Sequence, residues 1–320
     1  VDFQGEINIS SVIHGYKDIS SRGYGDSEGC NNNVNCDNGQ QWTDEINSVV
    51  MILTQGGTRI CTGFLVNNVR EDFTPYLMTS QTCLGGHEDW IIMFNYESVG
   101  CENEHGITDE TLSGTTLLNM GATSDYALLQ ISESPPEYYD VYFAGWDARD
   151  ITPSNLVSIH HPSGDIKKIS FDEDNAISDG WYTDDNTHWR IDEWESGTTE
   201  PGSYGAPLYN VNHHVVGQLH GGESSCDENY NDYFGKFSTS YDLGLDVWLD
   251  PDNTGVLVLD GLEVIESPDP DLSITHDPLY ILIDNNEMES IDISIGNIGD
   301  DESILSYIIY NTPFEKPATS

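Results

Sequence analysis

The chain has 320 residues, long enough for two or three domains and a sizeable core. Its 56 acidic residues against 10 basic give a formal net charge of −46, which repels phosphate backbones and excludes nucleic acid as a partner. No apolar run reaches the roughly 18 residues of a membrane-spanning helix. Self-repulsion on this scale opposes a compact state in dilute buffer and is relieved by screening ions. It fits a protein adapted to salty water; the alternative is one that binds cations or basic partners. Six cysteines, an even number, are compatible with three disulfides and an oxidising compartment. Their spacing alone does not select a pairing, and no C-x-x-C suggests a metal site.

Residues 1–29 are polar and read as an N-terminal extension or propeptide remnant, with one alternating piece, INISSVI, and a flexible approach, SRGYGDSEG, to Cys30. Because it begins at Val1 without methionine, the chain reads as a processed or trimmed mature form. From Cys30 to Glu263 short β-type runs follow one another. They are SVVMILT (48–54), CTGFLVN (61–67), PYLMTS (75–80), DWIIMFNY (89–96), DYALLQI (125–131), LVSIHH (156–161), APLYNV (206–211), HVVGQLHG (214–221) and FGKFSTS (234–240). Gly, Asn, Asp and Ser clusters separate them. Helical periodicity is confined to LGLDVWLD (243–250), a closing helix. Many short strands at regular spacing predict all-β barrels or a sandwich.

Composition shifts again at Ser267, where SPDPD forms a stiff acidic linker. Within residues 264–320 the runs YILID, ESIDISI and SILSYIIY alternate and resemble half of an immunoglobulin-like sandwich. An incomplete sheet has open edges, so self-association or strand exchange through residues 268–320 is expected.

A set of ordered blocks carries a closer resemblance between Cys30 and Glu263. They run GCNNNVNC, CTGFLVNN, LMTSQTC, ATSDYALLQI, FAGWDARD, SIHHPSGDIKKIS, TEPGSYGAPLY, VVGQLHGG and VWLDPDNTGVLVLDGL. Together they resemble the secreted bacterial lysyl endopeptidases, a branch of the trypsin-like serine proteases. The resemblance implies an all-β fold, a trypsin-like double β-barrel with a short C-terminal helix and the active site in the crevice between barrels. It implies the disulfides Cys30–Cys226, Cys36–Cys101 and Cys61–Cys83, and a secreted protein, extracellular or at the cell surface.

Such a protease needs an attacking serine, an imidazole to carry its proton, and a carboxylate to orient that imidazole. In the family the histidine stands before the second cysteine of a T-A-H-H-C block. The matching residues here are Thr79, Ser80, Gln81, Thr82 and Cys83, which puts Gln81 in the histidine's place. The carboxylate remains as Asp125, and Tyr204 takes the position of the serine. An amide neither accepts nor releases a proton near neutral pH, so general-base catalysis is lost. The Tyr204 phenol has no base beside it, and its ring projects where a substrate carbonyl would sit. The oxyanion-hole remnant is the pair of backbone N–H groups of Gly202 and Tyr204. Ser80 and Ser203 adjoin the lost positions but point elsewhere. His87 lies beyond the disulfide cysteine, and His160 and His161 read as structural. The resulting expectation is an inactive homologue, a secreted pseudoprotease acting as a binding or structural module. The alternatives are an active lysine-specific endopeptidase with a rearranged site, and a purely structural subunit of an extracellular assembly.

The pocket is separable from the chemistry. In the family an aspartate after the last cysteine receives the lysine side chain, flanked by a tryptophan and a histidine. The matching residues are Asp232, Trp181 and His220, so a lysine-bearing peptide or protein is the expected ligand. A carboxylate facing an ammonium makes a charge-assisted contact worth about 1.5–3 kcal/mol. The competing reading of Asp232 is one more acidic residue in an acidic chain. DPDNTG (250–255) lacks the ligands of a calcium loop and reads as a helix stop. His213 and His214, with Asn210 and Asn212, read as a solvent-facing hairpin tip rather than a metal site. No cofactor is expected, apart from calcium held non-specifically by surface carboxylates.

Overall fold

The computed structural model describes residues 24–264 and two short strands beyond them. The chain divides into two compact units, Val1–Val264 and Ile265–Ser320. In the first, α1 (Thr43–Ser48) runs directly into β1 (Val49–Leu53), all of whose residues are buried. Successive side chains of a strand face opposite ways, and here both faces are covered. Val50 and Ile52 join the core that contains Leu65, Leu77, Trp90 and Leu129, whereas Met51 and Leu53 pack with Ile91, Met93 and Ile166. β2 (Arg59–Leu65), β3 (Tyr76–Thr79), β4 (Ile91–Met93), β5 (Thr111–Ser113), β6 (Thr115–Gly121) and β7 (Tyr126–Ile131) complete this sheet. Its order is β5-β4-β1-β2-β3-β7-β6, antiparallel throughout.

The second sheet contains β8 (Ser154–His160), β9 (Lys168–Asn175), β10 (Ile177–Asp179), β11 (His188–Glu193), β12 (Pro207–Tyr209), β13 (Val215–Gly222) and β14 (Tyr230–Lys236). The order is β9-β8-β12-β13-β14-β11-β10, with Asn32–Asn33 added beyond β9 and Trp146–Asp147 paired parallel to β13. Its own core holds Leu156, Trp189, Ile191, Trp194, Leu208 and Phe234. A further layer joins the two sheets: Phe64, Met78, Tyr126 and Leu128 from one meet Trp146, Val157, Ile159 and Val215 from the other. Strand alternation builds this layering. On β8, Leu156 faces the barrel interior while Val157 and Ile159 face the shared layer. The architecture is the trypsin-like pair of β-sheets, closed by short helices, α2 (Phe237–Ser240) and α3 (Asp246–Leu249), joined by a π-helical turn at Tyr241–Leu245.

Three details differ from the sequence reading. Helix α1 arises from TDEINS, two polar turns with too few apolar positions to show a period. FSTS, read as the end of a strand, is helical because Phe237 turns inward to stack on Trp146, ring centroids 5.7 Å apart. His214 is buried, not at a solvent-facing tip, with Nε2 2.8 Å from Asp260 Oδ1, and the His213 ring stacks on Trp42 at 4.1 Å.

The six cysteines form Cys30–Cys226, Cys36–Cys101 and Cys61–Cys83. Asp250 accepts the amides of Thr254 and Gly255, which turns the chain after α3. In the second unit β15 (Leu272–Ile274) pairs antiparallel with β16 (Ile295–Asn297). The INISSVI piece and the rest of the immunoglobulin-like expectation lie outside the described residues. No described helix is long and apolar enough to cross a membrane.

Candidate functional site

The end of β3 delivers Thr79 and Ser80 to a 3₁₀ turn at Gln81–Cys83, which the Cys61–Cys83 disulfide fastens to β2. Asp125 precedes β7 in a left-handed backbone conformation (φ 51°) and is buried. Its carboxylate is fully engaged by this turn. Oδ2 accepts a hydrogen bond from the Ser80 hydroxyl; Oδ1 accepts from the Thr82 amide at 2.9 Å and the Thr82 hydroxyl at 3.0 Å. Gln81 donates its backbone amide to the Asp125 carbonyl (3.3 Å), while its side-chain Oε1 is buried with no hydrogen-bond partner among the described residues.

The loop bearing Tyr204 is pressed onto the same place. Gly205 (φ 85°) admits no side chain: a Cβ there would lie 2.1 Å from Thr79 Oγ1 and 2.5 Å from the Thr62 carbonyl. The Tyr204 carbonyl accepts the Thr62 amide at 3.0 Å. The Tyr204 ring is half-buried against the core that includes Cys61 and Cys83. Neither the Gly202 amide nor the Tyr204 amide has an acceptor among the described residues. Beside Tyr204 lies a cavity of about 520 Å³, lined by Arg59, Ile60, Ser163, Pro201 and Gly202.

A histidine does approach Asp125, from a different element. His220 on β13 places Nε2 3.8 Å from Asp125 Oδ2, and its Nδ1 is 3.0 Å from His188 Nε2. Trp181 stacks on it at 4.1 Å. Burial pushes His220 below the usual imidazole range, against the pull of Asp125. His188 is pushed down to about 4 by burial and by His220. The structure thus brings Asp125, His220 and Trp181 together. His188 carries no motif in the sequence, where it stands in THWR; it sits across β14 from Gln218, both paired with Gly235, and the register shift between Leu219 and Gly221 spans His220.

A serine–histidine contact lies deeper. His160 Nδ1 is 2.8 Å from Ser203 Oγ, and Nε2 is 3.1 Å from Ser170 Oγ. All three residues are completely buried. Burial, reinforced by Lys168, pushes His160 down to about 3. Both nitrogens of His160 face hydroxyls, and among the described residues no carboxylate is bonded to the ring.

Asp232 on β14 is wholly buried. Its Oδ2 accepts from Trp194 Nε1 (2.7 Å), Thr199 Oγ1 (2.8 Å) and Ser224 Oγ (2.6 Å). Its Oδ1 has no hydrogen-bond partner among the described residues. Burial raises its pKa above the usual carboxylate range, against those three donors. The sequence reading missed Trp194, Thr199 and Ser224 because they come from separate segments. Away from the cleft, Asp172, Asp174 and Glu195 have oxygens within 4.8 Å of one another, close enough to share a cation; two of the three are exposed. The sequence reading did not single them out.

A family model described as the lysyl endopeptidase C-terminal domain matches residues 24–235. A lysyl endopeptidase of Pseudomonas aeruginosa is 29% identical over 249 residues, 71% of this chain and 52% of that protein, so the chain spans about half the length of this curated relative. Among solved structures, the Rv3671c protease of M. tuberculosis in its inactive form is similar over 65% of this chain and 94% of its own, at 18% identity and a TM-score of 0.44. The MamO protease domain of Magnetospirillum magneticum is similar over 63% and 97%, at 12% identity and a TM-score of 0.42.

Proposed function

Starting from the premise that this chain belongs to the lysyl endopeptidase C-terminal domain family, we propose that it is a pseudoprotease: a serine-protease scaffold without peptidase turnover, used to bind. The observation that carries this reading is the occupancy of Asp125. Ser80 and Thr82 hold both of its oxygens, and the triad positions beside it carry Gln81 and Tyr204. No group there can take a proton from an attacking hydroxyl and return it to a leaving amine. His220 does not restore the relay. Its Nε2 is 3.8 Å from Asp125, beyond hydrogen-bond distance, its other nitrogen is committed to His188, and the serine beside Asp125 is buried with its hydroxyl already bonded to the carboxylate.

The ligand we assign is a lysine side chain on a peptide or protein. Asp232 offers a buried carboxylate oxygen with no hydrogen-bond partner among the described residues, and a cation is a group that would satisfy it. Three disulfides fit an extracellular or periplasmic setting. A fluorogenic lysyl substrate tests the first half of the reading. No turnover above buffer is expected; turnover that Asp125→Ala abolishes would establish a rearranged active protease instead.

A further inference from the structure

We propose that a groove on the flank of the second sheet, away from the cleft, binds a guanidinium: the side chain of an arginine on a partner peptide or protein. A cavity of about 610 Å³ opens there between the segment that precedes α1, strands β8 and β9, and the turn before β13. It shares no lining residue with the cavity beside Tyr204. Its floor is aromatic. Val157 and Phe171 are cross-strand partners in the β8–β9 register and so project from one face, the face that meets Trp42 in the layer shared by the two sheets. The His213 ring lies on Trp42 at 4.1 Å and borders the same space.

The rim is rich in acceptors, and among the described residues no lysine or arginine lines it. Glu173 stands two residues after Phe171, hence on the same face, and is exposed. Asp37, also exposed, enters from the segment before α1. Glu195 lies at the edge of β9, its Oε2 accepting the Glu173 amide at 2.8 Å. Asp172 alternates to the other face with its cross-strand partner Leu156, so its carboxylate turns away from the floor. None of Asp37, Glu173 and Glu195 forms an ion pair among the described residues. The one lining group able to carry positive charge, His213, is held 3.0 Å from the buried Glu45. Uncompensated carboxylates around an aromatic floor favour a flat, weakly hydrated cation. A guanidinium stacks on rings and donates paired N–H groups to carboxylates, whereas an ammonium is a compact and more strongly hydrated charge. Asn38 and Gln41 add side-chain carbonyl acceptors.

Titration calorimetry with Nα-acetyl-arginine amide tests this on the full chain in about 0.5 M NaCl, where the Debye length is roughly 4 Å and attraction to the net charge is screened. An Asp232→Asn background removes the carboxylate assigned to lysine, so no outcome bears on that reading. A single binding site is expected in this background. Asp37→Asn with Glu173→Gln should weaken it about fivefold or more. Phe171→Leu, which keeps an apolar side chain but removes the ring, should weaken it as well. Glu133→Gln, exposed and outside the groove, should change nothing. Nα-acetyl-citrulline amide has the same shape without the charge and should not bind; Nα-acetyl-lysine amide should bind more weakly than the arginine compound. The two altered carboxylates are exposed and their amide replacements keep the shape, with near-ultraviolet circular dichroism as the check on folding. Binding that the double variant weakens and Glu133→Gln leaves intact supports the groove. Unchanged affinity in the double variant, or equal affinity for the citrulline compound, overturns it. Equal affinity for the lysine compound overturns the guanidinium assignment, and absence of binding in every form overturns the proposal outright.

Discussion

Ser80 decides what a reversal of the triad changes could achieve. Its hydroxyl donates to Asp125 Oδ2, one of the two oxygens that could orient an imidazole at position 81. The related family block places alanine there, which leaves the carboxylate open. Restoring Gln81→His and Tyr204→Ser therefore returns a base and a nucleophile, but the base competes with a serine for its orienting partner. An imidazole deprived of that carboxylate loses several orders of magnitude in rate, about 10⁴ in the best-studied triad. The double variant should show little lysyl hydrolysis, and adding Ser80→Ala should raise it at least about tenfold. Equal rates in the double and triple variants would show that the Ser80 bond is not the obstacle. The residues Gln81, Asp125 and Tyr204 could be read against the family pattern because each lies in a short local block. The replacement bonds made by Ser80 and Thr82 could not, since they depend on how the 3₁₀ turn points back at Asp125.

At the scale of elements, the legible features are those set by period and length. β1 and β7 are visible because each is a run of mostly apolar residues, and alternation along each strand sends its side chains into different clusters of the core. Helix α1 is invisible because its two turns are polar and its position is set by the buried strand β1 that continues it. The surroundings of Asp232 were hidden for another reason: Trp194 and Thr199 stand 38 and 33 residues away in the chain. One covalent link bears on this assembly. Cys30–Cys226 ties the N-terminal segment to the loop that supplies Ser224 to Asp232. Cross-links over long loops contribute about 2–4 kcal/mol, so Cys30→Ser with Cys226→Ser should lower the melting temperature by roughly 5–15 °C. An unchanged melting curve would mean that this segment adds nothing to the fold.

For the molecule as a whole, two electrostatic effects of opposite sign meet on acidification. The imidazoles of His160 and His188 are held down to about 3 and about 4, against an ordinary value of 6.5, and burial also lowers His161 and His220. A histidine with a depressed folded-state pKa gains its proton first in the unfolded chain. Its contribution to stability is therefore complete above about pH 6.5 and is lost as the pH falls toward the folded value, by up to about 1.4 kcal/mol per pH unit for each group. Three carboxyls act the other way: Asp172, raised to about 6, and Glu45 and Asp232, both raised by burial, favour the folded state as the pH falls toward the ordinary carboxylate range. Four imidazoles against three carboxyls, with two of the imidazoles held down to about 3 and about 4, predict a net loss of stability between pH 6.5 and 4. The surface opposes this trend in dilute buffer, because protonating part of a −46 surplus relieves repulsion. In about 1 M NaCl the Debye length shrinks to roughly 3 Å, and that relief is already in place. The melting temperature at pH 7 should thus rise with salt, while its fall between pH 6.5 and 4 should be steeper in salt than without it. Desolvation of buried rings is not screened, so salt cannot rescue it. A melting temperature that climbs toward pH 4 in high salt would show that the buried imidazoles do not govern acid stability.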